Sequence, residues 1–388
     1  MGQDEIVAIP LERLTRFYLV NHSLLHKSKK QNVPNVAGAI CGLHSQLPLT
    51  PYYSLWSRME DFKPEMLEEA LYRAKSLVRT WFMRGTLHII PIKDLPTYHH
   101  ALKRMWFEHH GRYMNKPDWP NREIRRKLIY PRILQVLSKG PLRRKDLNDR
   151  VRALLGDVAR PYERLFSGWG GILKETSYLG LTVYAEPCGI EARFARLDKW
   201  LPNVDLDEAD GTQARNQLLL KYLHCYGPAS AQDFACWSGL LTSEATTAIN
   251  NCATALTQVR IEEIGKLLWM LKKDLKTLLN LDMKEQAPLC LLPKYDSYVL
   301  GHKDRTRIID NKHLQQVYRP VVGEVAAVLL INGRIAATWT HKKTEKALTI
   351  TINPLQELPK QTLTELKPTA EGLGHFMGVE QTIVHTSN

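Results

Sequence analysis

The sequence predicts an α+β protein: three tandem winged-helix domains, then a β-rich C-terminal cap and a terminal helix. Three observations carry that expectation. Gly140-Pro141-Leu142-Arg143-Arg144-Lys145-Asp146-Leu147 is echoed by Gly227-Pro228-Ala229-Ser230-Ala231-Gln232-Asp233-Phe234, so one plan occurs twice. Each echo is followed by a helical stretch and then by two short β-type runs around a turn. The last hundred residues abandon that plan for β-branched and alternating runs around Asn332-Gly333. The expected boundaries are 1–118, 119–204 and 205–283 for the winged helices and 284–388 for the remainder.

The elements follow in chain order. Apolar spacing predicts helices over Leu11–Leu19, Val36–Leu43, Tyr52–Met59 and Pro64–Ala74. Val78–Met83 and Leu87–Ile90 then read as a hairpin around Arg84-Gly85-Thr86, the first wing. Arg132–Leu137 and Asn216–Leu223 carry apolar residues at helical spacing, and the Gly-Pro after each is a stop signal. A helix, a Gly-Pro turn and a short second helix open a helix-turn-helix. A helix around Tyr162–Phe166 leads to Leu181–Ala185, a turn at Pro187-Cys188-Gly189, and Ala192–Ala195. A helix over Ser243–Leu256 leads to Val259–Ile261, a turn at Glu262–Gly265, and Leu267–Trp269. These are the second and third wings. Beyond them Leu289–Leu292, Val325–Ile331, Ile335–Thr340 and Leu348–Ile352 read as strands, with Asn332-Gly333 as a tight hairpin turn and a final helix over Lys360–Met377.

A chain of 388 residues is long enough for two to four domains, and 44% hydrophobic with 24% charged residues is ordinary globular composition. The net charge of +13 and pI near 9.4 point to a polyanionic partner. Between Lys103 and Arg152 there are 15 Lys or Arg against 5 Asp or Glu, so that window supplies +10 of the total. Charge at this density favours phosphate contact and salt-sensitive binding. Met1–Glu5 has no basic start leading into an apolar core, and no apolar run approaches the ~20 residues that span a bilayer. The six cysteines lack C-x-x-C and zinc-finger spacing, which is the usage of reduced thiols in a cytoplasmic protein. The absence of a heptad run gives no reason to expect a dimer, so a monomer without membrane association is expected.

His44 and Gln46, separated by Ser45, form a compact neutral polar pair followed ten residues on by Trp56-Ser57-Arg58. Taken alone, both could be polar residues at a helix C-terminus that satisfy backbone carbonyls. A metal is not expected, because no second His or carboxylate stands at ligand spacing. Nucleophilic hydrolysis by Ser45 is not expected either, since no G-x-S-x-G elbow surrounds it. His99-His100 and His109-His110 suggest a metal cluster at first sight, but their spacing spreads them around a helix whose basic face is solvated. Trp56 and Trp237 read as core residues rather than as stacking platforms.

Four motifs, in order along nearly the whole chain, give these residues a context. They are Gly42-Leu43-His44-Ser45-Gln46 with Leu55-Trp56-Ser57-Arg58, then Trp81-Phe82-Met83-Arg84-Gly85-Thr86-Leu87-His88. The third is Gly227-Pro228-Ala229-Ser230 with Asp233-Phe234-Ala235 and Trp237-Ser238-Gly239-Leu240. The last is Leu291-Leu292-Pro293-Lys294-Tyr295-Asp296 with Gly301-His302-Lys303-Asp304-Arg305. In these the chain resembles the winged-helix DNA glycosylases of the AlkZ and AlkX type, in the AlkZ-like branch with a His-x-Gln motif. The resemblance implies a monofunctional enzyme that hydrolyses the N-glycosidic bond of alkylated purines, including bulky N7-guanine adducts and crosslinks, in base excision repair or self-resistance. It implies Gln46 and His44 as catalytic residues, with Ser45 and Trp56 as their support; Tyr295 and Asp296 are candidates to orient the loop beside them, Asp296 equally a turn residue. It implies double-stranded DNA as the partner and needs no cofactor or metal. The middle position, usually aliphatic or small in that family, is the polar Ser45 here. Arg58, Arg84, Lys303, Arg305 and Arg307 are the candidate phosphate contacts, Arg84 and Arg305 within matched motifs. The alternative is a non-catalytic winged-helix regulator, since winged helices are most often binding modules. Gln46 discriminates: a regulator has no use for a polar pair held in a cleft.

Overall fold

The computed structural model describes residues 6–29, 32–114, 120–166, 171–207, 209–321 and 323–387, with only the backbone described over 107–114 and 161–164. Helices and small sheets are mixed, so the chain is α+β as expected. It divides into two compact units. One comprises 1–67, 219–237 and 241–388; the other comprises 68–218 and 238–240.

The first unit is assembled from distant pieces of the chain. Strand Val7–Ile9, absent from the sequence reading, pairs in parallel with Leu256–Ile261, which pairs in turn with Lys266–Leu271. Helix Leu11–Asn21 lays Leu14, Phe17 and Tyr18 into the same core as Val259, Ile261, Leu268 and Met270. Leu292, Val328 and Leu330 join that core from the C-terminal sheet. Each such side chain removed from water contributes roughly 1.5–3 kcal/mol. The C-terminal sheet has five strands in the order Cys290–Leu292, Val328–Ile331, Arg334–Lys343, Ala347–Pro354 and Gln381–Thr386. Asn332 and Gly333 make the tight turn with φ of 50° and 78°, the left-handed pair that Asn-Gly supplies without strain. The final helix spans Thr362–Phe376, and the strand after it, Gln381–Thr386, pairs in parallel with Ala347–Pro354.

In the second unit Leu77–Trp81 pairs with Leu87–Pro91, and Thr182–Cys188 pairs with Glu191–Arg196, which also takes up Leu142–Arg143. Trp81 stacks parallel to Phe194, and Trp106 stacks on Tyr178 with centroids 4.1 Å apart. The stretch expected as one helix over Pro64–Ala74 is an α-helix at Pro64–Glu68 continued by a π-helical turn at Glu69–Arg73.

One local expectation is overturned at the candidate site. The helix expected over Val36–Leu43 is Val33–Ala39, and Leu43–His44 is a short strand. Asn32 caps its start by accepting from the Asn35 amide. Its end is set by Cys41 and Gly42, whose φ of 55° and 102° reverse the chain; glycine adopts the second value without the cost a side chain would bring. His44 and Gln46 therefore leave a strand rather than end a helix.

Candidate active site

The segment from Leu43 to Gln46 turns from buried to exposed within two residues. His44 and Ser45 are 3% and 1% exposed, whereas Gln46 is exposed in the bend that precedes helix Thr50–Trp56. Gln46 thus lies at the surface, while the imidazole two residues before it is sheltered. The His44 ring lies parallel to the Tyr295 ring, with centroids 5.1 Å apart and planes 10° apart.

The supports of this segment converge from Lys294-Tyr295-Asp296. Asp296 is fully buried and makes a two-point ion pair with Arg58, Nη2 to Oδ1 at 2.7 Å and Nη1 to Oδ2 at 3.0 Å. It also accepts from Ser54 Oγ at 2.7 Å and from the Tyr298 amide at 2.9 Å, which caps helix Ser297–Leu300. Burial alone would raise this carboxyl, but the Arg58 guanidinium and those hydrogen bonds hold it below the usual carboxylate range. Thr50 Oγ1 donates to the Lys294 carbonyl at 2.9 Å, and Ser297 Oγ donates to the Gly42 carbonyl at 2.9 Å. The turn before His44 and the helix after Gln46 are thus both pinned to the 294–297 segment. Tyr295 has φ of 60°, a left-handed backbone that costs a ring-bearing residue about 1–2 kcal/mol.

A second buried cluster lies in the same unit. Asp233 accepts from the Ser230 amide and hydroxyl and from the amides of Lys303 and Asp304. It pairs with Arg307 at 3.2 Å. Arg307 also donates to the Tyr18 hydroxyl at 2.7 Å and to the Pro228 carbonyl at 2.9 Å. Despite the opposing effect of burial, Arg307 and these donors bring Asp233 down to about 2. Burial and Arg307 bring His302 down to about 3, so it is a neutral imidazole bound to the Tyr226 carbonyl.

These facts correct several phosphate candidates. Arg58 and Arg307 are 0% and 1% exposed and are spent on internal carboxylates, so neither guanidinium reaches a phosphate. Arg305 is 7% exposed, lies 3.7 Å over the Tyr318 ring and donates to the Val299 and Lys303 carbonyls, which also makes it structural. Lys303 is exposed, and Arg84 is half-buried in a left-handed turn of the first hairpin. Trp56 and Trp237 are buried as expected, packed on Phe376 and Phe234. His99 and His100 are not solvated: both are buried, and burial with Lys103 nearby lowers His99 to about 3. The side chains of His109 and His110 lie outside the described residues. Among the described residues no group of three His, Cys, Asp or Glu could hold a metal ion, and no helix is long and apolar enough to cross a membrane.

Ser54 and Thr50 were missed by sequence reading, and Ser57 was noted beside Trp56 and Arg58 without a role. Polar residues at 50 and 54 on helix Thr50–Trp56, continued at helical spacing by 57 and 58 just past its end, were the available signal. Ser57 accepts from Arg58 Nη1 at 3.1 Å and completes the cradle around that guanidinium.

The family model described as DNA glycosylase AlkZ-like matches residues 37–376. An interstrand DNA cross-link repair glycosylase of Streptomyces sahachiroi is 23% identical over 339 residues, covering 82% of this chain and 85% of that protein. The solved structure of the Streptomyces sahachiroi DNA glycosylase AlkZ matches with a TM-score of 0.83 at 20% identity, over 98% of this chain and all of that one. At that identity the structural likeness establishes the fold.

Proposed function

The chain belongs to the AlkZ-like DNA glycosylase family, and from that membership we propose that it releases alkylated purines from duplex DNA through Gln46 and His44. The family makes it a DNA repair enzyme that hydrolyses N-glycosyl bonds, and the reading as a non-catalytic regulator gives way. The substrates we infer are N7-guanine adducts, including bulky ones. Because its Streptomyces sahachiroi relative is an interstrand cross-link repair glycosylase, unhooking of crosslinks belongs to the proposal.

The single observation that carries the reading is the pairing of an exposed Gln46 with a sheltered His44 on a segment pinned at both ends. A purine alkylated at N7 is cationic, so its glycosidic bond is weakened and the base leaves neutral without a general acid. The transition state has oxocarbenium character. What remains is to hold a water at C1′ and to aim a dipole at the developing positive charge, and the Gln46 carboxamide oxygen does both. The water oxygen bonds to C1′ as the bond to the base nitrogen breaks, and a neutral His44 takes the water's proton. No lysine lies between Leu43 and Arg58, so strand cleavage through a Schiff base is not part of the reaction. Ser45 and Trp56 act as packing support and Asp296 as the anchor. Lys303 and Arg84 are the remaining phosphate contacts. The protein acts as a monomer on cytoplasmic, nucleoid DNA. The hairpins at Leu77–Pro91, Thr182–Arg196 and Leu256–Leu271 are read as the wings of three winged helices with the limits 1–118, 119–204 and 205–283, and 284–388 as the C-terminal region.

The test is to incubate purified protein with duplex DNA carrying N7-methylguanine, then a bulky N7 adduct, then an N7–N7 interstrand crosslink, and to assay free base and separated strands. Release from at least the first two is expected. Release of unmodified bases only, or of none, overturns the substrate assignment.

A further inference from the structure

We propose that Tyr295 is the positioning residue for His44: its ring holds the imidazole in one plane, and its hydroxyl ties that ring to the turn at Gly323. The inference rests on the reading of His44 as a participant in base release. Four observations carry it.

The two rings are parallel to within 10°, and the Tyr295 hydroxyl donates to the Gly323 carbonyl at 2.9 Å. A parallel stack covers one face of the imidazole, and the ring as a whole is sheltered, His44 being 3% exposed. Second, the backbone of Tyr295 is left-handed, a conformation that Gly or Asn would adopt more easily, so a ring at this position is kept at a cost. Third, Tyr295 is only half-buried, and its hydroxyl end is engaged at the surface. A side chain serving the core alone needs no hydroxyl there. Fourth, the neighbours fix the ring from both sides in sequence. Lys294 Nζ pairs with Glu324 at 3.0 Å, beside the Gly323 tether, while Asp296 is locked to Arg58.

Three consecutive residues therefore grip three separate pieces. Lys294 holds the hairpin Tyr318–Arg319/Glu324–Val325, Asp296 holds the helix Thr50–Trp56 through Ser54, and Tyr295 holds both the hairpin turn and His44. In this arrangement the position of the His44 ring depends on the hairpin through one side chain.

The experiment is a double-mutant cycle on single-turnover release of N7-methylguanine from duplex DNA, with DNA affinity measured in parallel. Tyr295→Leu is expected to slow release about tenfold while leaving DNA affinity within about twofold, and to add nothing in a His44→Ala background, because contacting residues couple. Tyr295→Phe keeps the stack and removes only the hydroxyl tether, so a smaller loss of about two- to threefold is expected, again only when His44 is present. If Tyr295→Leu does not fold, the Phe variant in both backgrounds carries the same cycle. A loss of equal size with and without His44, or one accounted for entirely by weaker DNA binding, overturns the proposal and makes Tyr295 a packing residue. Should His44→Ala itself leave release unchanged, the role of His44 falls and this inference with it. Should His44→Ala slow release while both Tyr295 variants leave it intact, only the inference fails.

Discussion

The Arg58–Asp296 and Arg307–Asp233 pairs share chemistry and burial and differ in what hangs from them. Both carboxylates are 1% exposed or less and accept three or more hydrogen bonds, and both are held below their ordinary range. Arg58–Asp296 lies directly behind the segment that presents His44 and Gln46, through Ser54, Tyr295 and Ser297. Arg307–Asp233 instead joins the Gly227-Pro228 turn, helix Leu11–Asn21 and the loop at Lys303 and Asp304. The same ion pair in one place anchors the segment that carries the two residues proposed as catalytic, and in the other joins separate stretches of chain into one core. Neither is strong evidence of stabilisation over an apolar pair, but removing one partner of either strands a buried charge.

Four experiments sharpen or break that contrast. The largest effects are on stability. Asp296→Leu and Asp233→Leu should each cost about 3–5 kcal/mol in chemical denaturation, because each leaves an uncompensated guanidinium. The contrast lies in the molecules that still fold: base release per folded protein should fall for Asp296→Asn and stay near the parent value for Asp233→Asn. Equal losses of release would erase the distinction.

Second, His44→Ala should slow release by roughly 10²-fold, the size of a lost proton acceptor, with the denaturation midpoint little changed. Third, stability should fall as pH drops. Burial holds His302 at about 3 and His22 well below its ordinary 6.5, so the native state binds fewer protons than the unfolded chain. Their contribution is complete well above pH 6.5 and is lost progressively below it, by about 2 kcal/mol for His302 between pH 7 and pH 5. The depressed carboxylates act in a lower window: the stability from Asp233 is present above its ordinary 3.8 and is lost as pH falls toward 2. Thermal melts from pH 7.5 to 4.5 should show the first limb, and His302→Gln should flatten it. A pH-independent midpoint would contradict the neutral assignment.

The smallest effect comes from the first echo. Arg143 pairs with Asp146 at 2.7 Å on the surface, where solvent screens it, so Arg143→Ala should leave the melting temperature unchanged within error.

That last pair shows what the sequence could and could not say. Asp146 and Asp233 occupy the same place in two similar octapeptides, yet the side chain of one is 33% exposed and the other residue is 1% exposed beneath Arg307. Local spacing predicts the turn and the helix in both; it carries no information about which tertiary neighbour arrives. The hairpins, the Asn332-Gly333 turn and the final helix were legible because their signals lie within a dozen residues. Strands Val7–Ile9 and Gln381–Thr386 were not, since each is defined by a partner elsewhere in the chain. At the candidate site the motifs singled out His44, Gln46, Tyr295 and Asp296 as residues but not the contacts between them, such as the His44–Tyr295 stack. The roles of Arg58, Arg305 and Arg307 were misjudged because a basic residue in a basic protein looks like a phosphate contact until its carboxylate or aromatic partner is seen.

The central claim is that an exposed carboxamide on a buried, pinned segment performs the chemistry. The most direct measurement is single-turnover release of N7-methylguanine by Gln46→Ala, with DNA affinity and melting temperature taken on the same preparation. A loss of about 10²-fold or more in release, with affinity and melting temperature at parent values, is the predicted result. Release at the parent rate by a folded, DNA-binding Gln46→Ala protein would contradict the account.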